Sequence, residues 1–270
     1  MRPHRRVCRM ARRPQRHPAC KSGACPRAPR LGRRSSRRQP FNHRPVAIAE
    51  VPNRPETDMK LYVYDHCPFC VRARMPLGLK GIEAETVFLD NHDETTPISM
   101  IGAKMLPILE DGDGHLGESL DIVHKLDGLS EPRLFDGEPK KDLTDWLREA
   151  GPAINTLVIP RAPDPVYPEF RDPDAVAYFT DKKEANFGDF DGLLAKTDEK
   201  IREVEAALDR LVPLLPDPEA PSINDIYLFP ILRGLTIVPG LTMPEPVAAY
   251  TTRMSERTGL ALVPELRKAA

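Results

Sequence analysis

The sequence predicts an α/β domain followed by an all-helical one, and three observations carry that reading. Short apolar strand signals alternate with helical spacing between residues 60 and 129, and they nearly vanish beyond residue 139. Charge divides the chain near residue 58: the first 58 residues hold 16 Lys/Arg against three acids, net +13, while the remainder holds 23 basic and 37 acidic residues, net −14. A proline- and glycine-containing stretch, "SEPRLFDGEP" at 130–139, separates the two patterns.

The elements follow in order. "KLYVY" (60–64) is a β-branched and aromatic run that reads as a buried strand. "PFCVRARMPLGLK" (68–80) has helical spacing through Phe69, Val71, Met75 and Leu79, with Gly81 as its stop. Pro76 falls inside that helix and predicts a kink or an early end. "AETVFL" (84–89) reads as a strand, "TPISMI" (96–101) as a short helix, and "LPILED" (106–111) as a third strand. "GHLGES" (114–119) is a fourth strand after an Asp-Gly-Asp-Gly turn, and "SLDIVHKLDGL" (119–129) a helix with Leu120, Val123 and Leu126 on one side. The order βαβαββα in about 70 residues predicts a small α/β sandwich around a mixed sheet. Helices are then expected at 140–159, 174–187, 190–215, 222–238 and 246–260. Ser222 and Asp225 fit a capping box at the start of the fourth of these. Trp146 and the Tyr178–Phe179 pair read as interdomain or helical packing, and Tyr64 as core.

The basic arm, rich in arginine and proline and without apolar periodicity, cannot bury enough surface to offset its ordering entropy. It predicts a disordered extension over residues 1–58 with Met59 as the working first residue. Its proline density argues against an amphipathic transit peptide, and no apolar stretch of secretory-signal type follows the charges. Such an arm can neutralise phosphates without a fold, but the preferred reading gives it no nucleic-acid role. The most apolar window, 226–241, is broken by Arg233 and two prolines, so a soluble chain with no membrane partner is expected. No phosphate-cradling glycine loop is present, and nucleotide chemistry has no support.

Of the five cysteines, three (Cys8, Cys20 and Cys25) lie in the arm, leaving Cys67 and Cys70 alone in the folded part. A closed zinc site needs four ligands, and one CxxC supplies two, so no metal is expected. A redox couple fits better. Cys67, at the end of a strand and the N-cap of a helix, would have its sulfur surrounded by unpaired backbone N–H groups and the positive end of the helix dipole. Pro68 suits the first helical position, where its missing N–H costs nothing, and Arg72 and Arg74 add positive potential. The thiolate is the reactive form, so a lowered pKa makes Cys67 the nucleophile and the deeper Cys70 the resolving thiol. His66 reads as poorly placed to act as a base for Cys67. A chain with a dithiol kept for chemistry belongs in a reducing compartment, and a cytoplasmic location is expected.

"CPFC" after a "YVY" strand, "LPIL" 39 residues on, and "GES" opening a helix resemble a glutaredoxin domain of the thioredoxin superfamily. Followed by an all-helical domain, the arrangement is similar to glutathione transferases, and with an intact dithiol it resembles the larger bacterial glutaredoxins. "ESLDIVHKLD", "DWLR", "YFTDKKEA" and "LFPILR" extend the likeness from Met59 to about Leu262. The resemblance implies a thioredoxin-like domain at 59–132 and a glutathione-transferase-like helical domain at 140–270. It implies a glutathione-dependent thiol-disulfide oxidoreductase, with glutathione as co-substrate and protein disulfides or glutathionylated proteins as partners. Pro107 matches the family's cis-proline, which would bring the Leu106 backbone beside Cys67 to pair with glutathione as an added strand. Glu118 and Ser119 match the pair that holds the γ-glutamyl group, Lys104 would meet the glycyl carboxylate, and Pro68 and Phe69 complete the glutathione-binding set. A monomer is expected. Two other classes share the architecture: a glutathione transferase, which has no use for a resolving thiol, and a non-enzymatic interaction module.

Overall fold

The computed structural model describes residues 58–269, so the expected disordered extension lies outside the described residues apart from Asp58. Strand β1 (Lys60–Val63) alternates as its sequence requires, with Leu61 and Val63 fully buried. It pairs parallel with β2 (Glu85–Phe88) and antiparallel with β3 (Ile108–Asp111), which in turn pairs antiparallel with β4 (Gly114–Leu116), giving the order β2-β1-β3-β4. Helices α1 (Pro68–Lys80), α2 (Thr95–Ile101) and α3 (Ser119–Asp127) complete the thioredoxin-fold half in the expected order βαβαββα. β3 starts two residues later than the sequence suggests. Pro107 has no N–H to give a ladder, and Tyr62–Ile108 is the last pair with β1.

Among the described residues seven α-helices follow: α4 (Lys141–Val158), α5 (Pro173–Phe187), α6 (Phe190–Leu194), α7 (Thr197–Leu211), α8 (Ile223–Leu235), α9 (Glu245–Thr258) and α10 (Val263–Ala269). The single helix expected at 190–215 is divided. Asp189 caps α6, accepting the Gly192 N–H at 2.7 Å, and the chain turns at Ala195–Lys196, where the Thr197 hydroxyl donates back to Leu194 O at 2.6 Å. α10 was not expected: its seven residues are too few for a readable period, although Glu265 accepts the Leu262 N–H at its start at 3.0 Å. The 130–139 connection is held rather than loose. The Asp127 carboxylate accepts N–H groups from Leu134 and Phe135 at 3.0 Å, and Phe135 is fully buried.

α1 lies between two cores. Cys70 and Ala73 face the apolar cluster built on the sheet, while Val71 and Met75 belong to the cluster of the helical half, against α8 and α9. Of the two outcomes expected of Pro76, the early end does not occur: α1 runs to Lys80, packed on both sides, and closes on Gly81 in the left-handed region at φ 63°. Trp146 is helical packing, its indole N–H donating to Ala207 O at 2.7 Å. At the start of α8 the Asp225 carboxylate accepts the Ser222 N–H at 2.8 Å as the capping box requires, and also accepts from the buried Tyr250 hydroxyl at 2.7 Å.

The two halves are joined by a buried ion pair. Arg233 of α8, 2% exposed, donates to Asp65 O at 2.7 Å, to Asp65 Oδ1 at 3.0 Å and to Ala261 O at 2.9 Å, and Arg74 also donates to Asp65. Burial alone would raise the Asp65 carboxyl, but Arg233 and then Arg74 outweigh it and hold it below the usual carboxylate range. The stability this gives is therefore present above the ordinary carboxylate pKa and is lost as pH falls through the depressed one. Among the described residues no helix is long and apolar enough to cross a membrane.

Two stability outcomes follow. Arg233→Met leaves the buried Asp65 carboxylate with Arg74 alone and its backbone carbonyl without the Arg233 donor, and urea unfolding should show a loss of about 3 kcal/mol; a loss below about 1 kcal/mol would mean the pair contributes little. A Cβ on Gly78 would lie 2.1 Å from the carbonyl oxygen of Thr258, backbone that cannot give way. Gly78→Ala should therefore cost about 2 kcal/mol or more in the same assay, by forcing α1 and α9 apart.

Candidate active site

The loop Tyr64-Asp65-His66 carries the chain from β1 to α1 and delivers Cys67 to the helix N-cap, in extended backbone at φ −76° and ψ 122°, with Pro68 at the first helical position. Cys67 and Cys70 are both free thiols. Cys67 is half-buried and Cys70 fully buried, as one turn of helix pointing into the sheet demands. The backbone N–H of Tyr64 reaches the Cys70 sulfur at 3.3 Å.

The two sulfurs are electrostatically unequal. The Cys67 thiol is brought down to about 6, first by the hydrogen bond from the Cys70 thiol, then by the charge of His66 and the backbone N–H groups of Cys70 and Phe69, together outweighing its burial. Burial pushes the Cys70 thiol well up, reinforced by the hydrogen bond and charge of Cys67 and by the charge of Glu169. The helix N-terminus thus acts as expected, but as a smaller contribution than the neighbouring thiol. Arg74 does not serve Cys67: it is committed to Asp65 and packs over the Phe88 ring at 5.3 Å. Arg72 does face the site. Its guanidinium lies between the exposed Phe69 ring (5.2 Å) and Tyr227 (4.6 Å), and it donates to Ile226 O at 3.3 Å and, at the long limit of a hydrogen bond, to Ser119 Oγ at 3.5 Å.

Leu106 and Pro107 are buried, joined by a cis peptide bond, and Leu106 belongs to the apolar cluster that contains Cys70 and against which Cys67 packs. Glu118 is exposed with φ at 62°, and Ser119 is buried at the start of α3. Lys104 is already engaged, donating to Tyr64 Oη at 2.5 Å, Asn91 O at 2.8 Å and Asp93 O at 2.6 Å. Tyr64 is core, as expected, and also the anchor for that lysine. Tyr178 and Phe179 link the halves, the Tyr178 hydroxyl donating to Glu94 and the Phe179 ring meeting His66 edge-on at 5.3 Å.

His66 is bound on the side of the helical half. Its backbone N–H and its Nδ1 both meet Glu169 Oε1, at 2.9 and 2.7 Å, and its ring charge acts on Cys67. Among the described residues no cluster of three His, Cys, Asp or Glu could hold a metal ion.

Two family models match the chain: the N-terminal domain of glutathione S-transferase over residues 61–134, and the C-terminal domain of glutaredoxin 2 over residues 142–266. Glutaredoxin 2 of Escherichia coli is 42% identical over 210 residues, which cover 76% of this chain and 98% of that protein. This chain belongs to the glutaredoxin 2 family. It is accordingly a glutaredoxin-type oxidoreductase. The crystal structure of glutaredoxin 2 from Salmonella typhimurium in complex with glutathione superposes with a TM-score of 0.74 at 43% identity, covering 78% of this chain and 99% of that one. A glutathione transferase of Phanerochaete chrysosporium, at 16% identity and a TM-score of 0.56, covers 75% of this chain and 98% of its own, and shares the fold.

Within this glutaredoxin 2 family member, sequence reasoning missed Asp65, Glu169 and Arg233. Nothing in "YPEF" or "LFPILRG" marks a residue that reaches the thiol loop from the other half of the chain.

The thiol asymmetry has a direct readout. Alkylation of Cys67 by iodoacetamide should rise with pH through a midpoint near 6 and level off above it, since only the thiolate reacts. Cys70→Ala removes the largest cause of the lowering and should move the midpoint upward; an unmoved midpoint would assign the acidity to other groups.

Proposed function

We propose that the chain reduces protein disulfides and glutathione mixed disulfides with glutathione as co-substrate, through Cys67 as nucleophile and Cys70 as resolving thiol. The observation that carries this reading is the inequality of the pair: a Cys67 thiol brought down to about 6 beside a fully buried Cys70 thiol pushed well up. The Cys67 thiolate attacks the glutathionyl sulfur of a mixed disulfide, the S–S bond breaks, and the protein thiolate leaves and takes a proton from water. A second glutathione thiolate then attacks the glutathionyl sulfur of the Cys67 mixed disulfide, the S–S bond to Cys67 breaks, and oxidised glutathione leaves as the Cys67 thiolate is restored.

With a protein disulfide, Cys70 attacks Cys67 in the mixed disulfide instead. Burial keeps Cys70 protonated in the resting pair, but two of its other restraints, the hydrogen bond and the charge of Cys67, vanish once Cys67 is covalently engaged. The resolving thiol is thereby released to ionise when it is needed, and the departing substrate thiolate can take its proton. The resulting Cys67–Cys70 disulfide is reduced by two glutathiones.

We assign glutathione to the groove lined by Pro68, Phe69, Leu106, Pro107, Glu118 and Ser119. The Leu106 backbone lies just beyond the last β1–β3 pair, where an extended cysteinyl unit can add as a strand. Ser119, at the start of α3 and within reach of Arg72, suits a carboxylate. Lys104 would have to release one of its three oxygens to meet the glycyl carboxylate, so its part is to hold Tyr64 in place. The domain division at 59–132 and 140–270 puts the thiols on the first half and their electrostatic supports on the second.

Cys70→Ser should keep reduction of a glutathionylated protein and lose most protein-disulfide reduction, whereas Cys67→Ser should lose both. Glutathione-dependent turnover retained in Cys67→Ser would favour a transferase in which another group activates glutathione.

A further inference from the structure

Glu169 is the most unusual charged group in the described structure. It is fully buried in the short 3-10 turn Pro168–Phe170 of the helical half, and one of its oxygens has no hydrogen-bond partner. A buried carboxylate with an empty oxygen is costly and calls for an explanation. Its other oxygen accepts two hydrogen bonds from one residue, the backbone N–H of His66 at 2.9 Å and Nδ1 of the same ring at 2.7 Å, while its backbone carbonyl accepts the Asn91 N–H at 3.1 Å. The imidazole is walled by four rings: Tyr64 stacked at 5.9 Å, Tyr167 at 6.1 Å, Phe170 at 4.8 Å and Phe179 at 5.3 Å. Three of those rings and the carboxylate come from the helical half, and the ring they hold belongs to the residue next to Cys67.

We propose that Glu169 is a positioning residue for the dithiol, which fixes His66 beside Cys67 with the hydrogen on Nδ1 and so lets the helical half set the difference in reactivity between the two cysteines. The inference rests on the reading of Cys67 as nucleophile. It deepens that reading by assigning part of the nucleophile's acidity to a residue in the other half of the chain.

Physical reasons agree on the direction. With Nδ1 and the backbone N–H of His66 both on one oxygen of a buried carboxylate, the ring stays oriented by a double hydrogen bond. The charge of His66 acts on Cys67 to lower it, while the charge of Glu169 acts on Cys70 to raise it and is not among the main influences on Cys67. One carboxylate therefore drives the two thiols apart: Cys70 directly, and Cys67 through the imidazole. The other titratable or charged groups are Tyr64 with Lys104 on its hydroxyl, Tyr167, Lys183 over the Phe179 ring, and Asp65 with its partners Arg74 and Arg233 on the His66 side, and Arg72 with Tyr227 on the Cys67 side. None of them touches Glu169 Oε1, so a change at residue 169 leaves them in place.

The test uses the full chain and the ultraviolet absorbance of the thiolate as pH is raised. Cys70→Ser isolates Cys67 and Cys67→Ser isolates Cys70, each measured with and without Glu169→Gln, which keeps the size and the acceptor oxygen but not the charge. The expected result is a pair of opposite shifts: the Cys67 midpoint rises by about one pH unit, leaving about fivefold less thiolate at pH 6, and the Cys70 midpoint falls. A merely structural role would not move the two in opposite senses. In a His66→Asn background, Glu169→Gln should no longer raise Cys67 but should still lower Cys70, and His66→Asn alone should raise Cys67. Midpoints that do not move, or that move together, overturn the inference while leaving the proposed reaction standing if the parent protein turns over a glutathione mixed disulfide. A parent with no Cys67-dependent turnover overturns both.

Discussion

The fold rests on one buried carboxylate, Asp65, and the two guanidiniums that neutralise it. The loop that carries it is only three residues long, between a strand locked in the centre of a sheet and a helix whose first turn holds the thiols. An unpaired charge in that loop would pull it toward water, and the sulfur with it. Arg74 answers from α1 and Arg233 from α8, so the same atom ties the thiol loop to its own helix and to the other half of the chain. The Arg233 bond to Asp65 O matters as much as the ion pair, because it satisfies a loop carbonyl that no ladder can reach. The thiolate chemistry depends on this rigidity, since donors in Cys70 and Phe69 lower the sulfur's proton affinity only while they stay aimed at it.

Most of the thioredoxin-fold half was legible because its signals are local. Alternation in "KLYVY", Pro68 at the first helical position and Gly81 at the stop each specify geometry within a few residues, and they placed both cysteines correctly on their elements. The failures have local causes too. Periodicity continues across Ala195 and Lys196, so a break made by Thr197 folding back onto Leu194 left no trace in the pattern. Pro76 was read by its intrinsic cost in a helix, whereas α1 is packed on two sides and does not end early. Arg74 was given to Cys67 on spacing alone, although its carboxylate partner stands nine positions earlier in the chain.

The site was half legible. Pro68 and Phe69 open the helix that Cys67 caps, and Leu106 shares the apolar cluster of the two cysteines. The groups that set the charge balance from the far half do not announce themselves: Glu169 reaches His66 across 103 positions and Arg233 reaches Asp65 across 168. No periodicity or motif encodes such pairings, and only the folded chain brings them within bonding distance. The helical half is thus more than a lid packed on a redox domain. It supplies the counter-ions that the thiol loop lacks.

Gly78 and Thr258 add a mechanical consequence. Where other helices meet through side chains that can rotate to absorb a displacement, these two meet main chain to main chain, with no room for even a methyl group. A joint of that kind cannot slide or cushion. The contacts that Tyr178 and Lys182 make with Glu94 are of the opposite kind, solvent-exposed side-chain bonds between the same two halves that break cheaply.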